Sequence, residues 1–274
     1  MAPPSVPRVT TLRLATFNLL HGISLRDGST SVDALRESAK SLDADIVGLQ
    51  EVDRLQERTG LVDQTEVVAD ALDAGWWRFA AAIQGTPGTE VPWTVATDEA
   101  HEGTEPTYGI GLVSRIPVAE WHVRRWAAAP FSLPLLAPGG RGWMRVPDEP
   151  RLALAAVIEP SSGQRFTVVT AHLSFVPGWN GYQLRDMTQW VRALPAPWFL
   201  VGDLNLPGPL PRLLSGWHQL ARVPTYPSYN PKVQFDHVLA SGVEPSVVQR
   251  VTAMPLGVSD HCALAVDVEL TARS

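Results

Sequence analysis

The stretch WFLVGDLN, residues 198–205, is an apolar run that stops on Gly202 and turns at once into Asp203 and Asn205. Residues 198–202 have the length and composition of a short buried strand, bounded by Pro197 and Gly202. The Asp–x–Asn spacing at the strand exit points both polar side chains to the same side. Other apolar runs end in the same way. Asn18 follows LATF, Glu51 follows DIVGLQ, and His172 follows TVVTA. Asp236 sits in QFDHVLA, and Asp260 and His261 lie in GVSDHCAL. One polar residue at a strand end has little meaning, since a strand must end in something. This many, all carboxylate, amide or imidazole, read as one convergent site.

Between these runs the chain alternates strands and helices. Strands are predicted over 9–17, 45–50, 109–115, 151–158, 165–171, 198–202, 233–240, 246–253 and 262–270. Helices are predicted over 31–43, with Ser31 as N-cap, over 63–73, and over 181–194. No fixed short repeat is present. The pattern implies mixed sheets packed face to face with helices outside, an α/β sandwich. Residues 1–8 are Pro-rich and read as a flexible N-terminal arm, leaving 9–274 as a single domain. Segments 83–107 and 126–150 fit no element. Both are rich in Pro, Gly and Trp, and loops of that length are functional or disordered. The second contains FSLPLLAPGGRGWM, which reads as a lid, a lipid-contacting loop or a partner contact.

Composition narrows the class. The chain has 274 residues, 22 Lys plus Arg against 28 Asp plus Glu, and a formal charge of −6. A chain of this length buries about 75% of its unfolded surface, and the composition excludes a disordered chain, a coiled coil and a collagen-like fibre. Only Lys40 and Lys232 are lysines. The acidic total and the lack of a long basic run argue against a protein that coats nucleic acid, but not against a local cation-lined cleft. Cys262 is the only cysteine, so no intramolecular disulfide forms. It reads as a small buried hydrophobe rather than a nucleophile. The opening MAPPSVPRVTTLRL shows no secretory pattern, and the expectation is a cytoplasmic protein. Of ten tryptophans, Trp76, Trp77, Trp93, Trp121, Trp126, Trp143 and Trp179 fall in or beside loops, either as packing anchors or as a stacking rim.

The strings TFNLLHG (16–22), LQEVD (49–53), YGIGLVSRIPV (108–118), TAHLSF (170–175), GDLN (202–205), FDHV (235–238) and SDH (259–261) together resemble the endonuclease/exonuclease/phosphatase superfamily, also called the DNase I-like fold. The resemblance covers nearly the whole chain. GDLN with a later SDH is its most specific part. It implies a four-layered α/β sandwich of two mixed central sheets flanked by helices. It also implies hydrolysis of a phosphate ester with Mg²⁺ or Mn²⁺.

The roles that follow are those the resemblance implies, checked against the chemistry of each residue. Glu51, Asn18 and Asp260 are the metal candidates, because hard divalent cations take oxygen ligands. Asn18 would supply its amide oxygen. His261 is the candidate general base, with Asp236 as the partner that fixes its tautomer. Asp203 and Asn205 would hold the attacking water and the phosphate oxygens. His172 would donate to a non-bridging oxygen. Tyr108, Arg151 and His21 are candidate substrate contacts, and His237 is given no role. The implied reaction is in-line attack of water on a phosphodiester, nuclease-like or on a small or lipid phosphodiester. A phosphomonoesterase of the same fold and a phospholipase C- or sphingomyelinase-like enzyme are the alternatives. A catalytically inactive binding module is disfavoured, because GDLN and SDH are complete. The expected partner is a compact phosphoester, nucleic acid, lipid head group or small molecule, met by a monomer without an obligate protein partner.

Overall fold

The structure, a computed structural model, describes residues 9–88, 92–100, 103–136, 143–161 and 164–271. Two large sheets lie face to face. The first has seven strands in the order β14-β15-β1-β2-β5-β3-β4: Val248–Met254, Ala263–Thr271, Val9–Asn18, Ile46–Arg54, Thr107–Ser114, Trp76–Gln84 and Thr94–Val95. The second has six strands in the order β12-β13-β11-β10-β9-β6: His218–Gln219, Asp236–Ser241, Trp198–Asp203, Phe166–His172, Arg151–Ile158 and Val118–Trp126. The pairs β1–β2 and β10–β11 are parallel, and the other pairs are antiparallel. A separate hairpin joins β7 (Leu133–Leu136) to β8 (Trp143–Val146).

Period-2 alternation assigns each side chain to a layer. In β1, Leu12 and Leu14 join the core between the sheets, whereas Ala15 and Phe17 face helices α1 (Val32–Leu42) and α2 (Gln64–Ala71). In β11, Phe199 and Val201 point inward, and Leu200 faces α3 (Trp179–Trp190) and α4 (Leu210–Ser215). Three apolar layers therefore separate four layers of structure, the expected helix–sheet–sheet–helix sandwich. The helices start where their caps allow. The Ser31 hydroxyl accepts from Ala34 N–H, and the Asp63 carboxylate accepts from Thr65 N–H at 2.9 Å.

The sheets approach closely at Gly48. A Cβ there would lie 2.4 Å from Thr170 Oγ1 and 2.7 Å from Val201 Cγ2. The gap is bridged by polar groups: Thr16 Oγ1 donates to Gln50 Oε1, and Gln50 Nε2 donates to Thr170 Oγ1 at 2.9 Å.

Several predicted elements change. The strand expected at 45–50 runs on to Arg54 through a bulge between Leu49 and Val52, where Glu51 takes a φ of 54°. Strands β3 and β6 were not predicted. Parts of 83–107 and 126–150 are regular, forming β4, the start of β5, and the β7–β8 hairpin; residues 89–91, 101–102 and 137–142 of these segments, like the arm 1–8, lie outside the described residues. The helix expected to reach 194 ends at Trp190 and continues as a 3₁₀ turn, Val191–Ala193. Strand β13 begins at Asp236 rather than 233. Most of the loop tryptophans sit within elements: Trp76 and Trp77 open β3, Trp121 and Trp126 belong to β6, Trp143 opens β8 and Trp179 opens α3. Among the described residues no helix is long and apolar enough to cross a membrane.

Candidate active site

Strand direction gathers the site at one end of both sheets. Strands β1, β10 and β11 contribute their C-terminal ends, with Asn18, His172 and Asp203, and β2 contributes Glu51 from its bulge. The antiparallel strands β13 and β15 contribute their N-terminal ends, with Asp236 inside β13 and Asp260–His261 just before β15. The ladder shows this directly, since Asp203 is the register partner of both His172 and Asp236. The alternation also decides which way they face. Asn18 shares its parity with Leu12 and Leu14, His172 with Phe166 and Val168, Asp203 with Phe199 and Val201, and Asp236 with Val238 and Ala240. All these partners face the core between the sheets, so the polar residues cap that same inner seam. Asn18 and Asp236 are fully buried, and Asp203 and His172 nearly so.

Asp203 stands at the centre. Its Oδ2 accepts from Asn18 Nδ2 at 3.0 Å and lies 3.7 Å from His172 Nε2 and 3.8 Å from His261 Nε2. Its Oδ1 accepts from the Asn205 backbone N–H at 3.0 Å. Asn18 Nδ2 also donates to Glu51 Oε1 at 3.0 Å, which joins a carboxylate of each sheet through one amide. His261 Nδ1 lies 2.8 Å from Asp236 Oδ2, and its Nε2 lies 4.0 Å from Asp260 Oδ1. The Ser259 hydroxyl orders this last segment: it donates to the Asn18 carbonyl at 2.6 Å and accepts from His261 N–H at 3.0 Å.

The electrostatics follow from burial and crowding. Burial, with Asp236 nearby, raises the Asp203 carboxyl to about 7, against the opposing pull of His261. Burial alone would lower His261, but Asp236, Asp203 and Asp260 outweigh it and raise the ring to about 10. Burial raises Glu51 and Asp260 as well. His172 is driven well below its ordinary value by burial and by Arg151. Four carboxylates thus crowd a buried place with too little positive charge. The ligand atoms of Asp203, Asp236 and His261 lie within 4.8 Å of one another, and Asp236 Oδ1 is buried with no hydrogen-bond partner. Hard oxygen donors in excess, one of them unmatched, suit a divalent cation.

The sequence candidates do not all stand alike. Asp203, Asp236, His261, His172, Glu51, Asn18 and Asp260 come together. Asn18 arrives in a different posture from the one expected: its carboxamide oxygen accepts from Leu20 N–H at 3.0 Å, and its NH₂ faces the two carboxylates. Asn205 lies beside Asp203 with a φ of 49°, and its Nδ2 donates to the Leu173 carbonyl at 2.9 Å. Tyr108 is buried on the inner face of β5, where burial and the Glu51 charge raise its phenol well above the ordinary value. The backbone swings through positive φ at Leu20 and His21, and the charges His21 feels are Arg58 and Asp53. Arg151 Nη1 lies 3.1 Å from His172 Nδ1, with Nη2 3.6 Å from Glu149. His237 is buried with Nε2 2.8 Å from the Leu206 carbonyl, and Cys262 is buried. Tyr226 was missed: its ring centroid is 4.9 Å from that of His261. It sits in a Pro-rich loop that no spacing rule marks.

The fold is the DNase I-like α/β sandwich, and comparison with known proteins agrees. The model of the Endonuclease/Exonuclease/phosphatase family matches residues 15–261, so the chain belongs to that family, whose members hydrolyse phosphoesters. Similar solved structures include an endonuclease/exonuclease/phosphatase from Beutenbergia cavernae, with TM-score 0.64, 20% identity, and coverage of 95% of this chain and 72% of that one. A mannosyl-6-phosphatase from Bacteroides thetaiotaomicron gives TM-score 0.61 at 16% identity, covering 94% of this chain and 99% of that one. Sphingomyelinase C from Streptomyces griseocarneus gives TM-score 0.57 at 16% identity, covering 94% and 99%. At these identities the likeness speaks for the DNase I-like fold alone. No curated protein sequence matches the chain.

Proposed function

We propose that this protein is a divalent-metal-dependent phosphodiester hydrolase acting by in-line attack of water, as a monomer on a compact phosphoester. The observation that carries the reading is the single buried seam where Asp203 meets Asn18, His172 and His261 under the surplus of carboxylates. Glu51, Asp203 and Asp260 are the residues that would hold Mg²⁺ or Mn²⁺. When bound, the cation supplies Lewis-acid neutralisation of phosphate charge.

The rest of the work falls to the chain's own groups. Asp236 accepts from His261 Nδ1–H, which aims Nε2 at the site. Once the neighbouring carboxylate charge is neutralised, that Nε2 takes the proton of the attacking water. Asp203, which accepts from Asn18 Nδ2 and lies 3.8 Å from His261 Nε2, orients the water beside that base. His172 Nε2–H stabilises charge growing on a non-bridging oxygen. Asn18 keeps Glu51 and Asp203 at fixed separation throughout.

The test is hydrolysis of bis-p-nitrophenyl phosphate and p-nitrophenyl phosphate with and without Mg²⁺ or Mn²⁺, followed by DNA, RNA, sphingomyelin and phosphoinositides. The diester is expected to turn over only with metal, and Glu51→Gln or His261→Gln to lower kcat by at least about 10²-fold. Turnover of the monoester alone would replace the reading with a phosphomonoesterase. Unchanged activity in either variant would overturn the site.

A further inference from the structure

Arg151 and His172 meet through nitrogens. Arg151 Nη1 lies 3.1 Å from His172 Nδ1, and both residues are buried. A guanidinium can only donate, so His172 Nδ1 must be the acceptor and carry no proton. The ring is then neutral, with its single proton on Nε2. Nε2 points at Asp203 Oδ2 across 3.7 Å, too far for a hydrogen bond, so this N–H stays directed at the reaction centre. An imidazolium here would set one N–H against another.

Arg151 opens β9 beside Leu152, the register partner of His172. Its charge also acts on Glu51 and Tyr108. Behind it stands Asp148, fully buried, with Oδ1 4.0 Å from Arg151 Nε. Neither of those two atoms has a hydrogen-bond partner, so their attraction is mutual. Asp148 is itself fixed, since Oδ2 accepts from Ala129 N–H and from the Ser174 hydroxyl, each at 2.8 Å. A buried carboxylate thus steadies a buried cation, and the cation sets an imidazole.

We infer that Asp148 and Arg151 are positioning residues that lock His172 as a neutral Nε2–H donor aimed at a non-bridging oxygen of the substrate. The oxygen rests on the hydrolase reading; the lock itself does not. The test therefore begins without substrate. In ¹⁵N-labelled metal-free protein, long-range ¹H–¹⁵N spectra, with His172→Gln for assignment, should show Nδ1 bare and Nε2 protonated. In Arg151→Met the His172 signals should move toward mixed tautomers. With bis-p-nitrophenyl phosphate, kcat should fall about 10–100-fold with KM little changed, the size seen when an orienting partner is lost. Arg151→Lys, which restores a donor, should recover most of the loss, and Asp148→Asn should shift the spectrum in the same direction as Arg151→Met. A wild-type His172 protonated on Nδ1 overturns the inference even if the variants do not fold. So does an Arg151→Met protein with unchanged tautomer and kcat. A protein inert toward every phosphoester but with bare Nδ1 removes the hydrolase reading and leaves the lock standing.

Discussion

Replacing Gly48 by alanine tests how tightly the two sheets are joined beneath the site. The new methyl would lie 2.4 Å from Thr170 Oγ1 and 2.7 Å from both Thr170 Cβ and Val201 Cγ2. Thr170 and Val201 are fully buried and β-branched, so neither swings aside easily. Relief requires moving one sheet from the other. Overpacking of this kind costs about 1–3 kcal/mol. Parting the sheets also breaks the buried Gln50–Thr170 bond, about 1–3 kcal/mol more. The lower entropy of the unfolded alanine chain returns about 0.4–1 kcal/mol. The net loss is about 1–5 kcal/mol, or roughly 2–10 °C in Tm for a chain of this size. Urea unfolding should show a lower midpoint with an unchanged slope. Activity should fall too, because Asn18 and Asp203 hold 3.0 Å across the same seam. A variant within about 0.5 kcal/mol of wild type, the range of ordinary surface changes, would refute the close approach.

Removing the Asp236 charge with Asp236→Asn takes away the largest influence raising His261; a ¹⁵N titration should show the ring pKa falling from about 10, and kcat should drop about 10²–10⁴-fold. Asn18→Ala leaves the Glu51 and Asp203 carboxylates without their shared donor and should cost about 1–3 kcal/mol in urea unfolding, together with activity. Without metal, stability should fall with rising pH. Folded His261 holds its proton to about 10 while the unfolded ring loses it near 6.5, so its contribution is complete below 6.5 and is lost between those values. One proton sets a slope of at most about 1.4 kcal/mol per pH unit, measurable by urea unfolding in chelator at pH 7, 8 and 9. Adding Mn²⁺ should flatten it, and a metal-free protein whose stability stays level or rises over that range would contradict the carboxylate crowding.

The layered fold was legible because β9 and β11 are short apolar runs bounded by polar or turn residues and β1 alternates in part. What escaped notice had a physical reason. Strand β3 begins with two exposed tryptophans and continues through three alanines, poor strand formers. Strand β6 is a sheet edge carrying Glu120, His122, Arg124 and Arg125, the charges that discourage edge pairing, and these mask its apolar face. In the site, residues at strand ends were found because the strand fixes where they point. For His21 the sequence gives no direction, since the left-handed turn at Leu20 and His21 breaks the link between sequence neighbours and spatial ones. Asp148 and Tyr226 lie in irregular segments and acquire their roles only through distant partners.

The pairing of β1 with β15, from Val9 with Thr271 to Thr16 with Leu264, gives the site a schedule. As the chain emerges from the ribosome, Asn18 comes out early and waits on one side of its strand for a neighbour more than two hundred residues later. A chain stopped near residue 250 has nearly all of the second sheet, the Asn18 amide and most of the carboxylates, but neither His261 nor the strand that anchors it. Its β1 then offers a bare edge between Val9 and Thr16, a surface prone to adhere to other chains. Catalytic competence and protection of that edge arrive in the same step, so truncated copies should be both inert and sticky.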